Sequence, residues 1–140
     1  MYHYSDTLAM ESITSTTMAK SKLAVYEGAC FAIMWGLASN GQCQARDYYE
    51  SLDVPDRAKT LALFKRMADV GKIYDTTKFN QETKKLYVFK PQPHRFFCFF
   101  TKGKKIFIVS AYQKQGDKAP PQEITRAENL RVECLKWIDQ

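Results

Sequence analysis

Between Leu86 and Tyr112 the chain alternates in a way that only strands satisfy, and this stretch limits the fold more than any other. Leu86 to Lys90, His94 to Thr101 and Ile106 to Tyr112 are rich in Phe, Tyr, Val and Ile, which fit a pleated, half-buried surface. Lys102-Gly103-Lys104-Lys105 is a short polar turn with glycine, so the second and third strands are expected to pair as an antiparallel hairpin. Pro91 and Pro93 separate the first strand from the second. Phe96, Phe97, Phe99 and Phe100 make the middle strand apolar on both faces, so they read as core rather than as platforms for bases.

A strand buried on both sides needs a layer over each face. Ala45, Tyr48, Tyr49 and Leu52 fall at i, i+3, i+4 and i+7 and share one face of a short helix. Asp53 then caps a second helix, Val54 to Val70, with Pro55 and Asp56 in its first turn and Gly71 at its exit. The expected buried stripe is Ala58, Leu61, Ala62, Phe64 and Ala68, and the two helices are expected to form a hairpin. A last helix starts at Pro120-Pro121 and presents Ile124, Ala127, Leu130, Cys134, Leu135 and Ile138 on one side. The fold class is therefore α+β: a small antiparallel-rich sheet packed by an N-terminal helical hairpin and a C-terminal helix.

Residues 1–21 are rich in Ser and Thr without periodicity and read as a poorly ordered N-terminal arm, with Met18 an alternative start. Residues 22–140 read as one domain, long enough to bury roughly two-thirds of the unfolded surface. Lys22 to Glu27 alternates like a strand, whereas periodicity leaves the type of the run through Phe31, Ile33 and Trp35 open. Asn40-Gly41 marks a turn. The apolar run Ala29 to Met34 is too short to span a bilayer, so no membrane association and a cytoplasmic location are expected. Cys30, Cys43, Cys98 and Cys134 form no C-x-x-C pair, which signals neither zinc nor disulfides; no cofactor is expected.

The net charge is +6, from 21 basic and 15 acidic residues, and its placement is uneven. From Lys84 to Lys118 nine cations face Asp117 alone, so the basic excess lies in the strand region. That favours a polyanionic partner. The local signatures of nucleotide hydrolysis, dinucleotide binding, zinc proteolysis and serine hydrolysis are absent from the sequence. With His3 in the arm, His94 is the sole histidine of the domain, and chemistry must run mainly on Lys, Arg and Tyr. RNA cleavage by the adjacent 2′-hydroxyl suits such a set. The nucleophile belongs to the substrate, and fixed cations stabilise the charge that gathers on the pentacoordinate phosphate. Arg95, a charge at the mouth of an apolar strand, is expected to pair with or bind something. Lys102, Lys104 and Lys105 read either as solvated turn residues or as RNA contacts, and His94 either as a polar strand start or as part of the RNA site.

The order of residues adds to this. Tyr87-Val88-Phe89-Lys90-Pro91, His94-Arg95-Phe96-Phe97-Cys98-Phe99-Phe100, Ile106 through Lys114, Lys118-Ala119-Pro120 and Glu123-Ile124-Thr125-Arg126-Ala127 together resemble the RelE/ParE superfamily, and more narrowly its phage-derived HigB-type toxins. The resemblance covers Ala45 to Leu135. It implies a RelE-like sheet and the toxin of a type II toxin-antitoxin pair: an mRNA-cleaving endoribonuclease acting at the ribosome, with a cognate helix-turn-helix antitoxin. Under it, Lys90 and Arg95 match the basic positions of the central strands, Tyr112 and Lys114 the start of an aromatic-x-Lys-Lys motif, and Lys118 the lysine before the loop proline. Arg95 and Lys114 would contact the scissile phosphate, Lys90 would steady its charge and Tyr112 would shape the site. Gln115 stands where that motif has its second lysine, and Val88 where relatives often carry an acidic residue. The general base is left among His94, Tyr112 and a lysine of lowered pKa. Two alternatives are a non-catalytic member that binds RNA or its antitoxin, and a gyrase-directed ParE-like toxin.

Overall fold

The computed structural model describes residues 23–138. The arm expected at 1–21, with His3 and Met18, lies outside the described residues. The elements run β1 (Ala24–Glu27), β2 (Ala32–Trp35), α1 (Gln44–Ser51), α2 (Val54–Val70), β3 (Phe79–Gln81), β4 (Tyr87–Phe89), β5 (His94–Thr101), β6 (Lys105–Gln113) and α3 (Pro121–Ile138). All six strands join one sheet in the order β1-β2-β6-β5-β4-β3. Only β2 and β6 pair in parallel; the other four pairings are antiparallel. The fold class is α+β, consistent with a RelE-like fold.

Side-chain alternation divides the core. One face of the sheet carries Ile33, Trp35, Phe89, Phe96, Cys98, Ile106 and Ile108 against Phe64, Met67 and Ala68 of α2. The opposite face carries Val88 and Phe97 against Ala127, and Phe99, Phe107 and Val109 against Cys134, all beneath α3. β5 is thus buried on both sides, which is why its sequence is an unbroken apolar run. Phe96, Phe97 and Phe99 are core, as expected, while Phe100 is partly exposed near the hairpin end. Gly103 and Lys104 turn the β5–β6 hairpin with φ of 82° and 59°.

α2 begins where Asp53 accepts the Asp56 amide at 2.9 Å and ends at Gly71, whose φ of 86° is left-handed. Its buried side is rotated from the expected stripe. Ala58 and Ala62 are exposed, and Thr60 and Met67 take their place beside Phe64 and Ala68. Thr60 can be buried because its hydroxyl donates to the Asp56 carbonyl at 2.8 Å, which removes the cost of an unpaired polar group. A close approach also fixes the C-terminal end of α2: a Cβ at Gly28 would sit 2.4 Å from the Ala68 carbonyl carbon. The Ala68 carbonyl accepts from both the Cys30 and Phe31 amides, tying the β1–β2 turn to the helix.

The undecided run around Ile33 is β2, and β3 is a strand that the sequence did not signal. β2 depends on a partner far along the chain, Ile33 opposite Ile106, whereas β3 pairs with the next strand, Phe79 opposite Phe89. Among the described residues no helix is long and apolar enough to cross a membrane.

Candidate active site

Two adjacent residues at the mouth of β5 point to opposite faces. His94 faces the α1/α2 side, where Tyr48 Oη lies 2.7 Å from its Nδ1 and Asp56 Oδ2 lies 2.8 Å from its Nε2. Arg95 faces the α3 side. There Lys90, Arg95, Tyr112, Lys114 and Lys118 line a single cleft, together with Glu82, Val88 and Asp117. Five of the sequence candidates are therefore brought together, and four are not. His94 is buried behind the sheet. Lys102, Lys104 and Lys105 lie exposed at the other end of the β5–β6 hairpin, roughly 20 Å from Arg95 at about 3.3 Å per residue.

The cleft owes its composition to a bulge. Phe97 pairs with Ser110 while Cys98 pairs with Ile108, so β6 holds one extra residue at Val109. Without it, period two from Ile106 and Ile108 would send Tyr112 toward α1 and α2. With it, Tyr112 lies opposite Arg95 and stacks on Phe97, ring centroids 5.8 Å apart. β2 ends its pairing with β6 at Ile108, so the strand edge beyond that point needs other partners. Gln44 of α1 supplies them in the manner of a strand: its Oε1 accepts the Ala111 amide at 2.7 Å and its Nε2 donates to the Ala111 carbonyl at 2.9 Å. Arg126, paired with Glu123, donates to the same carbonyl at 3.1 Å.

Two cations of the cleft, Arg95 and Lys90, are held by neutral groups. Arg95 is only 9% exposed, and its guanidinium donates to the His94 carbonyl at 3.0 Å and to Gln92 Oε1 at 3.4 Å. Lys90 Nζ donates to the Thr76 carbonyl at 3.1 Å. Among the described residues neither makes an ion pair with a carboxylate. Burial pulls Arg95 somewhat below its ordinary value, though an arginine stays protonated regardless. Burial also lowers Lys90, assisted by the like charges of Arg95 and Lys114 and opposed by Glu82. Tyr112 is raised, first by burial and then by Glu82 and Glu123, with Arg95 working the other way. It is therefore a neutral phenol near pH 7, suited to donating a hydrogen bond. The cleft thus gathers four cations, with Arg95 and Lys90 partly desolvated, beside the carboxylates of Glu82 and Asp117.

Glu82 and Asp117 are functional candidates that the sequence reading missed. Glu82 sits on a loop with no motif of its own, and it reaches the cleft because the β3–β4 turn folds back beside β4. It brings a carboxylate to the place where Val88 cannot. Gln115, which replaces the second lysine of the motif, is exposed and donates to the Gln113 carbonyl at 3.4 Å. Burial pushes up the thiols of Cys43 and Cys98, and that of Cys134 to about 12, so none of these three is a poised nucleophile.

A family model described as phage derived protein Gp49-like (DUF891) matches residues 47–132, a span that holds the whole cleft. No curated protein matches the chain.

Proposed function

From the premise that this chain belongs to the Gp49-like phage-derived family, within the RelE/ParE-like toxin superfamily, we propose that it is an RNA-cleaving toxin of the HigB-like branch. The observation that carries this reading is the convergence of Lys90, Arg95, Lys114 and Lys118 with Tyr112 on one cleft, where the buried guanidinium makes no ion pair among the described residues.

In the proposed reaction the substrate's own 2′-hydroxyl, giving up its proton, attacks the adjacent phosphorus; the bond to the 5′-oxygen breaks, leaving a 2′,3′-cyclic phosphate and a 5′-oxygen that takes a proton from water. Arg95 and Lys114 bind the non-bridging oxygens, and Lys90 stabilises the second negative charge that forms as the phosphate becomes pentacoordinate. Tyr112 donates a hydrogen bond and, with Lys118, orients the strand. Glu82 is the base we assign to the 2′-hydroxyl, because it is the carboxylate beside Lys90 and Tyr112. His94 is not given this role: both of its ring nitrogens are engaged on the other face. The proposed setting is translated message at the ribosome, in the cytoplasm, with toxicity held in check by a cognate helix-turn-helix antitoxin.

Mapping 5′ ends of cellular messages after induction tests the reading. New cuts that vanish in the Arg95→Ala, Lys114→Ala double variant are expected. Growth arrest with DNA damage and no new cuts would instead favour a gyrase-directed toxin, and harmless high-level expression would remove both toxin readings.

A further inference from the structure

A second concave surface, larger than the cationic cleft, is a groove of about 830 Å³ between the outer side of α2 and the segment 73–78, lined also by Lys90, Pro91 and Gln92. We propose that this groove receives an acidic amphipathic helix of a partner protein. The occupant would also act on the cleft through Lys90, which lines both surfaces; that second clause rests on the function proposed above.

The floor of the groove is apolar. Ala62 and Val70 of α2 and Tyr74 of the loop are all exposed there, Val70 to 62% and Tyr74 to 81%. The small Ala62 leaves room between Lys59 and Arg66 on one stripe of the helix. At a diameter near 10 Å, the free volume matches roughly two turns of a helix, lying alongside α2 as packed helices do. An exposed apolar trough of this kind calls for an apolar ligand face.

The rim is positive. Lys59, Lys65, Arg66, Lys78 and Lys90 line it beside two carboxylates, Asp69 and Asp75, and of these cations Lys59 is also paired with Asp56 at 3.7 Å. Both carboxylates are already engaged: Asp69 accepts the Tyr26 hydroxyl at 2.9 and 3.0 Å, and Asp75 accepts the Thr77 amide and hydroxyl at 2.9 and 2.6 Å. Among the described residues the side chains of Arg66 and Lys78 have no hydrogen-bonded or ion-paired partner. Charge complementarity thus asks for a carboxylate-rich ligand, and the floor asks for aliphatic side chains between the carboxylates. RNA meets the first demand and not the second.

The link to the cleft is the Lys90 ammonium, which lines both surfaces and is held by the Thr76 carbonyl, between the groove residues Asp75 and Thr77 in sequence. A carboxylate seated in the groove competes with that carbonyl for Lys90 and draws its charge away from Arg95 and Lys114. The occupant therefore weakens phosphate binding without entering the cleft.

The probe is an 18-residue amphipathic peptide with a leucine stripe flanked by glutamates, followed by fluorescence anisotropy on the full chain. Its counterpart carries lysines at the glutamate positions. We expect the glutamate peptide to bind at least tenfold more tightly. Arg66→Glu with Lys78→Glu should reverse the preference, and Ala62→Trp should weaken binding by a similar factor through filling the floor. All three positions are exposed, so folding is preserved, as circular dichroism would verify. Equal binding of both peptides, or indifference to the variants, would overturn the docking proposal. So would groove variants that displace a single-stranded RNA oligonucleotide rather than the peptide. With the glutamate peptide at saturation, a severalfold loss of oligonucleotide affinity supports the Lys90 link, and an unchanged affinity refutes it. Peptide binding is read without RNA, so a chain that docks the peptide but never cuts RNA contradicts the ribonuclease reading alone.

Discussion

His94 and Arg95 are neighbours on one strand, yet they live in opposite electrostatic worlds. On the α1/α2 face every polar demand of the imidazole is met, by Tyr48 at 2.7 Å and Asp56 at 2.8 Å, with the Tyr48 ring edge-on to Phe96. On the α3 face a guanidinium of similar burial donates only to carbonyl and amide oxygens among the described residues. The first arrangement ties α1, α2 and β5 together and has no capacity left over. The second keeps a desolvated charge without a carboxylate partner, which costs stability. On the function proposed above, the strand commits one residue to the scaffold and its neighbour to the ligand.

The sharpest way to break this comparison is to remove charge from the open side. Arg95→Met with Lys114→Met is expected to lower RNA cleavage by about 10³-fold or more, the scale set by removing transition-state donors. Its urea midpoint should not fall, since the substitution relieves buried charge; activity that survives, or a midpoint that collapses, would erase the distinction. The opposite pattern is expected on the closed side, where His94→Ala leaves Asp56 and Tyr48 without their partner and should cost about 2–4 kcal/mol in denaturant unfolding. Gln44→Leu, which strips the Ala111 amide of its acceptor beside Tyr112, should cost about 1–3 kcal/mol and lower cleavage as well, because it loosens the bulged end of β6.

Acid distinguishes the faces more gently. The hydrogen bond from His94 holds the Asp56 carboxyl below the ordinary value of 3.8, with smaller help from Lys59. A folded value below the unfolded one means that this stabilisation is complete above 3.8 and is lost as pH falls through the folded value. Urea midpoints of Asp56→Asn should accordingly vary less with pH below that point than those of the unsubstituted chain. Smallest of all, Lys102→Ala, Lys104→Ala and Lys105→Ala together should change stability by less than about 0.5 kcal/mol. Their effect on RNA should be confined to a shallower salt dependence, roughly 0.7 log units for each phosphate that is no longer neutralised.

Much of this molecule can be read before folding. The period-two run and the β5–β6 turn, the Asp53 cap and the Gly71 exit act locally, and each stands where the sequence puts it. The cleft residues are legible in a different way: Arg95 stands out as a charge at the mouth of an apolar strand, and Lys90, Tyr112, Lys114 and Lys118 through a resemblance in residue order. What escaped depends on strand register and on how loops fold back. Val109 carries no mark of a bulge, since its side chain is as apolar as its neighbours and only the Phe97–Ser110 register exposes it. Glu82 comes to the cleft through a turn of the chain, and β3 exists because Phe79 finds Phe89. His94 was drawn toward the RNA because its burial partners, Tyr48 and Asp56, lie 46 and 38 residues away.

The central claim is that phosphate is bound by the cations of the cleft. Side-chain NMR of the full chain, titrated with a short RNA whose 2′-hydroxyls are methylated so that it cannot be cut, reads this site by site. The account predicts that the Arg95 guanidinium and the Lys90 and Lys114 ammonium signals shift together and saturate at one ratio, while those of Lys102 to Lys105 move little. Shifts concentrated at the hairpin turn, with Arg95 undisturbed, would contradict it.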